Sequence, residues 1–192
     1  MYFHSVIDDQ TECDDRVVNL EQLDTDLQSV GTTPNFAFIT PNLCHDGHDA
    51  PCANDEPGGL ESINGFLQEW VPRILASPAF KQDGLLIVTF DEADNFTTDA
   101  SACCSGSPTL NTPLPGITGL GGGRVGAVLL SPFIAPGTVS QTEYNHYSLL
   151  HSVEDIFGLP YLGFADDDQA RSFGADVFTR RLPVFPARPT DG

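Results

Sequence analysis

Basic side chains are scarce in this sequence. Lysine occurs once, at Lys81, and eight Lys and Arg stand against 27 Asp and Glu, for a formal net charge of −19. So acidic a chain repels a phosphate backbone, which excludes nucleic-acid binding driven by charge. No apolar run reaches the length of a membrane span, and the opening MYFHSVIDDQ (Met1 to Gln10) is not a signal peptide. No G-x-S-x-G elbow occurs, which argues against an ordinary serine esterase. The glycines between Gly116 and Gly123 neither follow a strand nor open a helix, so they are not a dinucleotide fingerprint or a P-loop. There is no internal repeat.

What is present fits one folded domain. With 192 residues and 40% hydrophobic content, the chain can bury a core. We read residues 1–181 as a single domain with an irregular insertion at 95–123, followed by a Pro-rich tail at 182–192. Cys44 and Cys52 bracket a short polar loop, and Cys103 and Cys104 are adjacent in a Gly/Pro/Ser-rich stretch. Paired thiols in loops suit an oxidising compartment, so a secreted or extracytoplasmic parent is expected. The five cysteines are an odd number. A missing partner cysteine and a missing signal together predict that a natural N-terminal part precedes this chain. Cys44, His45, His48 and Cys52 offer zinc ligands, but their spacing matches no common finger, and a Cys44–Cys52 disulfide is expected instead. The NFT at Asn95 is a glycosylation sequon.

Periodicity gives the elements. Leu20, Leu23 and Leu27 have helical spacing after a polar lead-in. NFAFIT (Asn35 to Thr40), flanked by Pro34 and Pro41, predicts a first strand. Ile63, Phe66, Leu67, Trp70, Ile74 and Leu75 predict an amphipathic helix bent at Pro72. GLLIVTF (Gly84 to Phe90) predicts a second strand, buried on both faces as in a parallel sheet covered by helices. RVGAVLLSP (Arg124 to Pro132) predicts a third. NHYSLLHSVEDIFGLP predicts a helix capped by Asn145 and stopped at Gly158. The expected class is α/β, a mainly parallel sheet flanked by helices and incomplete at its N-terminus.

In such sheets ligands sit beyond the carboxyl ends of the strands. The first predicted strand runs into His45, Asp46, His48 and Asp49, the second into Asp91, Glu92 and Asp94. Parallel strands would bring both clusters to one edge, where carboxylates and imidazoles suit a divalent cation. Solvated acidic turns are the plainer alternative for each cluster. At about 100° per residue, His146 falls on the stripe of Leu149, Leu150, Val153 and Phe157 and points inward. His151 falls on the opposite, solvated face. The plainer reading of His146 is a core histidine bonded to a backbone carbonyl.

Four ordered stretches, TPNLCHDGHD, GLLIVTFDEAD, GGGRVGAVLLSPFIAPGT and YNHYSLLHSVEDIFGLP, resemble the phosphoesterase family over residues 34–165. That family includes bacterial phospholipases C, secreted acid phosphatases and phosphatidylinositol-3-phosphatase-like proteins, and it has the alkaline-phosphatase-like fold. The resemblance implies a hydrolase of phosphate esters, a phosphomonoester or a phospholipid, that uses a divalent metal ion. It implies Asp91 and Glu92 as metal ligands and His48 and His146 as the groups that contact phosphate or protonate the leaving alcohol. Asp49, Asp46 and Asp94 are secondary candidates. The family's Glu-Asn metal pair and its nucleophile have no counterpart in the 192 residues, and both are expected upstream of Met1. The alternative is a non-catalytic acidic module that binds a cation or a partner. A sulfatase would need a cysteine in a C-x-P-x-R setting, and none is present.

Overall fold

The computed structural model describes residues 8–93, 123–168 and 170–180. Asp94, the sequon at Asn95, Cys103, Cys104 and the tail at 182–192 lie outside the described residues. The chain divides into two compact units, Met1–Gly84 and Leu85–Gly192.

The first unit is helical. Helix α1 (Gln10–Arg16) starts at Asp9, whose carboxylate accepts from the backbone N–H groups of Thr11 and Glu12. It carries no buried residue and lies in what the sequence suggested was only a polar lead-in. The leucine spacing further on yields only the short α2 (Gln22–Asp26), with Leu23 buried. The Thr32 and Thr33 hydroxyls donate to the Asp26 carbonyl at 2.9 and 2.8 Å, satisfying a group that the helix end leaves open. Helix α3 (Gly59–Ala76) is the expected amphipathic helix, with Pro72 inside it and Trp70 buried. Arg73 ties α3 to α2: its guanidinium lies 4.8 Å from the Trp70 ring centroid and 3.1 Å from Asp24, and it also pairs with Glu69. Ser77 and Pro78 then open α4 (Pro78–Asp83), the serine accepting from the Phe80 N–H.

NFAFIT is not a strand. Residues 35–40 have no regular structure, and Phe36 and Phe38 are exposed. An extended apolar stretch becomes a strand only when another strand takes up its backbone groups.

The second unit begins with β1 (Leu86–Thr89), which pairs with β2 (Ala127–Leu130) in an antiparallel sheet, with Leu86 opposite Leu130 and Thr89 opposite Ala127. The fold is mixed helix and strand, but the parallel pairing expected for GLLIVTF and RVGAVLLSP does not hold between them. Nor is β1 buried on both faces. Leu86, Ile87 and Val88 are half-buried, Thr89 is exposed, and Val128 on β2 is exposed as well. A continuous apolar run reads the same whatever covers it, so the run alone could not give the direction of the neighbour or the depth of burial.

Helix α5 (His146–Phe157) has the expected ends. The Asn145 side chain accepts from the Ser148 N–H, Ser148 Oγ accepts from the Asn145 N–H, and Gly158 closes the helix in the left-handed conformation at φ 63°. A 3₁₀ turn (Gly163–Asp166) follows. Ala165 and Val177 are the buried apolar residues of this unit among those described. Among the described residues no helix is long and apolar enough to cross a membrane.

Candidate active site

In the first unit, the loop after residue 41 is shaped by side chains bonding to nearby backbone. Asn42 Oδ1 accepts from the N–H groups of Cys44 and His45, and from the His45 ring Nδ1 at 2.8 Å. Asp46 Oδ1 accepts from the His48 N–H at 2.8 Å, the Asx-type turn that short acids favour. Asp46, a candidate ligand on sequence, therefore acts on the backbone here. The His48 ring is largely exposed, and its Nδ1 donates to Asp49 Oδ1 at 3.0 Å. That bond fixes the tautomer with Nε2 unprotonated while the ring is neutral. Asp49 is itself anchored: its N–H donates to the Leu43 carbonyl and its carbonyl accepts from the Gly59 N–H at 3.0 Å. Gly58 makes the second contact feasible. It has φ 67°, and a Cβ there would come within 2.0 Å of the Asp49 carbonyl oxygen.

The loop is closed by the Cys44–Cys52 disulfide expected from the sequence, with Cα atoms 5.2 Å apart.

In the second unit, β1 runs out through Phe90 into Asp91 and Glu92, both exposed. His146, the first residue of α5, reaches this segment: its ring Nε2 donates to the Asp91 carbonyl at 2.8 Å. The bond to a backbone carbonyl matches the plainer reading of His146, but the burial does not, because the side chain is exposed. The two histidines of α5 are exchanged relative to the helical-stripe argument. His151 is the covered one, with 16% side-chain exposure. Its Nδ1 donates to the Ala165 carbonyl at 2.7 Å, and its ring stacks on Tyr161 at 3.9 Å. The apolar stripe does not set the orientation of α5, because the buried face of the helix is polar, formed by Ser148, Ser152 and Glu154. Ser152 Oγ donates to the Ser148 carbonyl and accepts from the Phe173 N–H at 2.8 Å. Glu154 Oε1 accepts from the Leu162 N–H at 3.0 Å. This face anchors backbone of following segments, and hydrophobicity does not register that use.

Two further carboxylates went unnoticed in the sequence. Asp155 accepts from Ser172 and from the Tyr161 hydroxyl, and these bonds, Ser172 first, hold its pKa below the usual carboxylate value. Asp176 accepts from Ser140 and from the Tyr144 hydroxyl at 2.9 Å, and its pKa is lowered to about 2, chiefly by the Ser140 bond. Only the His151/Asp155 spacing, one helical turn, hinted at either. Asp155 also borders a cavity of about 250 Å³ with Ser152, Ile156, Ser172, Phe173 and Phe178. None of the sequence-derived site residues lines it.

As a metal site, Asp91 and Glu92 fit in kind but not in number. They offer hard oxygen donors in solvent, suited to a divalent ion. Among the described residues, however, the one group of three potential ligands within 4.8 Å of one another is Cys44, His45 and Glu56, not a set containing Asp91.

The phosphoesterase family model matches residues 4–160. The chain is 33% identical over 146 residues to an acid phosphatase of Aspergillus niger, covering 76% of this chain and 27% of that protein. It is 28% identical over 161 residues to the phosphate-repressible acid phosphatase of Penicillium chrysogenum, covering 84% and 32%. It is 27% identical over 132 residues to a phosphatidylinositol-3-phosphatase of Mycobacterium tuberculosis, covering 69% and 33%. The chain thus spans about a third of the length of the curated relatives it matches.

Proposed function

The chain belongs to the phosphoesterase family, and on that premise we propose that it forms part of a metal-dependent phosphate-ester hydrolase, contributing half of a metal site and two phosphate-handling histidines. The observation that carries the reading is the placement of an exposed His146 beside the exposed Asp91 and Glu92, its Nε2 bonded to the Asp91 carbonyl, in a chain that matches the family model.

Asp91 and Glu92 would hold the ion through their carboxylates. When bound, a divalent ion supplies Lewis-acid polarisation of phosphoryl oxygens and a bound water of lowered pKa. His146 has Nε2 engaged by the Asp91 carbonyl, so that, when the ring is protonated, Nδ1–H can donate to a phosphate oxygen. On the family resemblance His48, whose ring is bonded to Asp49, would when protonated give a proton to the leaving alcohol. Asp94 is at most a group that hydrogen-bonds a ligand. We assign the remaining ligands and the nucleophile to the two thirds of the relatives' length that this chain does not span, and on this reading the chain is truncated. Residues 1–181 would then be the C-terminal part of one alkaline-phosphatase-like domain. The antiparallel β1–β2 pair is compatible with that fold, because otherwise parallel sheets often carry an antiparallel strand. The relatives' names support a phosphate ester of a soluble or a lipid alcohol as substrate, and the disulfide supports an extracytoplasmic parent.

The test uses the chain joined to the rest of its parent protein. Asp91→Asn should lower p-nitrophenyl phosphate turnover at least ~100-fold and reduce bound metal, the scale seen when charge stabilisation is lost. His146→Ala should lower turnover ~100-fold with metal retained. Unchanged turnover and metal content in Asp91→Asn would remove the metal assignment. If the joined wild-type protein hydrolyses no phosphate ester, the second reading stands: a non-catalytic acidic module that binds a cation or a partner, favoured by the incomplete donor set around Asp91.

A further inference from the structure

Cys44, His45 and Glu56 bring one ligand atom each within 4.8 Å of one another, and Cys52 is bonded to the first of them. As long as the disulfide is intact, the sulfurs are not thiolates. The 3.5 Å approach of Cys44 Sγ to Glu56 Oε2 is then a contact and not a hydrogen bond, because the sulfur carries no proton. In that state only an imidazole and a carboxylate remain as donors, too few for a retained ion.

We propose that reduction of Cys44–Cys52 turns this loop into a four-ligand zinc-type site made of Cys44, Cys52, His45 and Glu56. The ion and the disulfide would be alternative, mutually exclusive staples of the same loop. Reduction breaks the S–S bond and yields two thiols: a dithiol gives up two protons and two electrons and becomes a disulfide, or a phosphine is oxidised to phosphine oxide with one water supplying the oxygen and both thiol protons. Metal binding then displaces the two thiol protons to solvent. Two thiolates and one carboxylate on a divalent ion leave a net charge of −1, and the exposed Glu56 leaves the site open to entry.

The geometry favours this set because the ligands are gathered by bonds that do not involve sulfur. Asn42 takes the N–H groups of Cys44 and His45 on its side chain, and its carbonyl accepts from the His45 N–H at 2.8 Å. The ring bond from His45 Nδ1 to Asn42 Oδ1 leaves the Nε2 lone pair available, the outer-shell arrangement common for metal-bound histidine. On the other arm, the Cys52 N–H donates to the Glu56 carbonyl at 2.9 Å and the Asp55 N–H to the Cys52 carbonyl at 3.0 Å. Asp55 has φ 65° in this turn, which folds Glu56 back beside Cys52. Tetrahedral zinc with bonds of about 2.0–2.3 Å requires ligand atoms about 3.3–3.8 Å apart. The atoms of Cys44, His45 and Glu56, within 4.8 Å of one another, need only a small contraction to reach this spacing, while the Cys52 sulfur, bonded to Cys44 in the oxidised loop, must move away from it once reduced. His48, the other imidazole of the loop, is not in the group and is engaged by Asp49.

The test titrates Co2+, as a spectroscopic stand-in for zinc, into the 192-residue chain with Cys13, Cys103 and Cys104 replaced by serine. After phosphine reduction, one equivalent should produce thiolate-to-cobalt charge transfer and the visible bands of a tetrahedral site, both displaced by Zn2+. His45→Ala and Glu56→Gln should each weaken binding at least ~10-fold. No charge-transfer band in the reduced chain, equal binding by the oxidised chain, or undiminished affinity in both variants would each overturn the proposal. A second measurement needs no substitution: Zn2+ should slow re-formation of the Cys44–Cys52 disulfide by oxidised glutathione ~10-fold or more, because metal-bound thiolates do not attack. A rate unchanged by Zn2+ would overturn it equally.

Discussion

Ser152 does two jobs with one hydroxyl. It donates to the Ser148 carbonyl within α5 and accepts from the Phe173 N–H, so a side chain in the helix holds the segment that returns after residue 170. The residue is 3% exposed, so water cannot replace it easily. Ser152→Ala should leave the half-buried Phe173 amide without that acceptor and destabilise the second unit by ~1 kcal/mol, the usual net worth of one hydrogen bond. Amide exchange at Phe173 reads this directly. Exchange at Phe173 as slow as in the wild type would show that the serine bond contributes nothing. Glu154, 2% exposed and bonded to the Leu162 N–H, works in the same direction from the next turn of the helix.

At the scale of the element, α5 shows what a sequence can and cannot reveal. Its ends were legible because capping is local chemistry: Asn145 and Gly158 are what an N-terminus and a left-handed stop require, whatever surrounds them. Its orientation was not legible. The rule that the apolar stripe faces inward fails where the covered face is spent on hydrogen bonds, so His146 came out exposed and His151 covered. The direction of β1 and β2 was hidden for a related reason, since short, mostly apolar strands suit either kind of pairing. The Cys44–Cys52 loop was legible through its short separation, but Glu56 was not, because the turn at Asp55 that returns it to Cys52 has no apolar signature. The cap also carries a consequence. Because His146 is the first helical residue, the Asn145 cap sets where its ring begins. Asn145→Ala should cost about 1 kcal/mol in urea unfolding followed by far-UV circular dichroism, while Asn145→Asp should cost much less because aspartate caps as well. Equal losses in the two variants would mean that Asn145 acts through something other than the cap.

At the scale of the whole molecule, two effects of pH oppose each other. With a net charge of −19 at pH 7 and a sequence pI of about 4.1, the folded chain repels itself at neutrality, and acidification relieves that strain until the carboxylates are largely titrated. Asp176 acts the other way. Its folded pKa, about 2, lies below the ordinary 3.8, so the unfolded chain takes up a proton there first. The stability it contributes is complete above pH 3.8 and is lost as the pH falls through about 2. Asp155, also lowered, adds in the same sense. Repulsion governs the neutral limb and these bonded carboxylates the acid limb, so thermal stability should peak near pH 4–5. Added salt should raise the melting temperature at pH 7 more than at pH 4, because screening matters where net charge is large. Asp176→Asn removes one proton-linked group and should flatten the acid limb between pH 4 and pH 2 while leaving the neutral limb in place. Melting curves by circular dichroism across pH 2–8 check both limbs. A wild-type acid limb no steeper than that of Asp176→Asn would take the Ser140–Asp176–Tyr144 network out of the account.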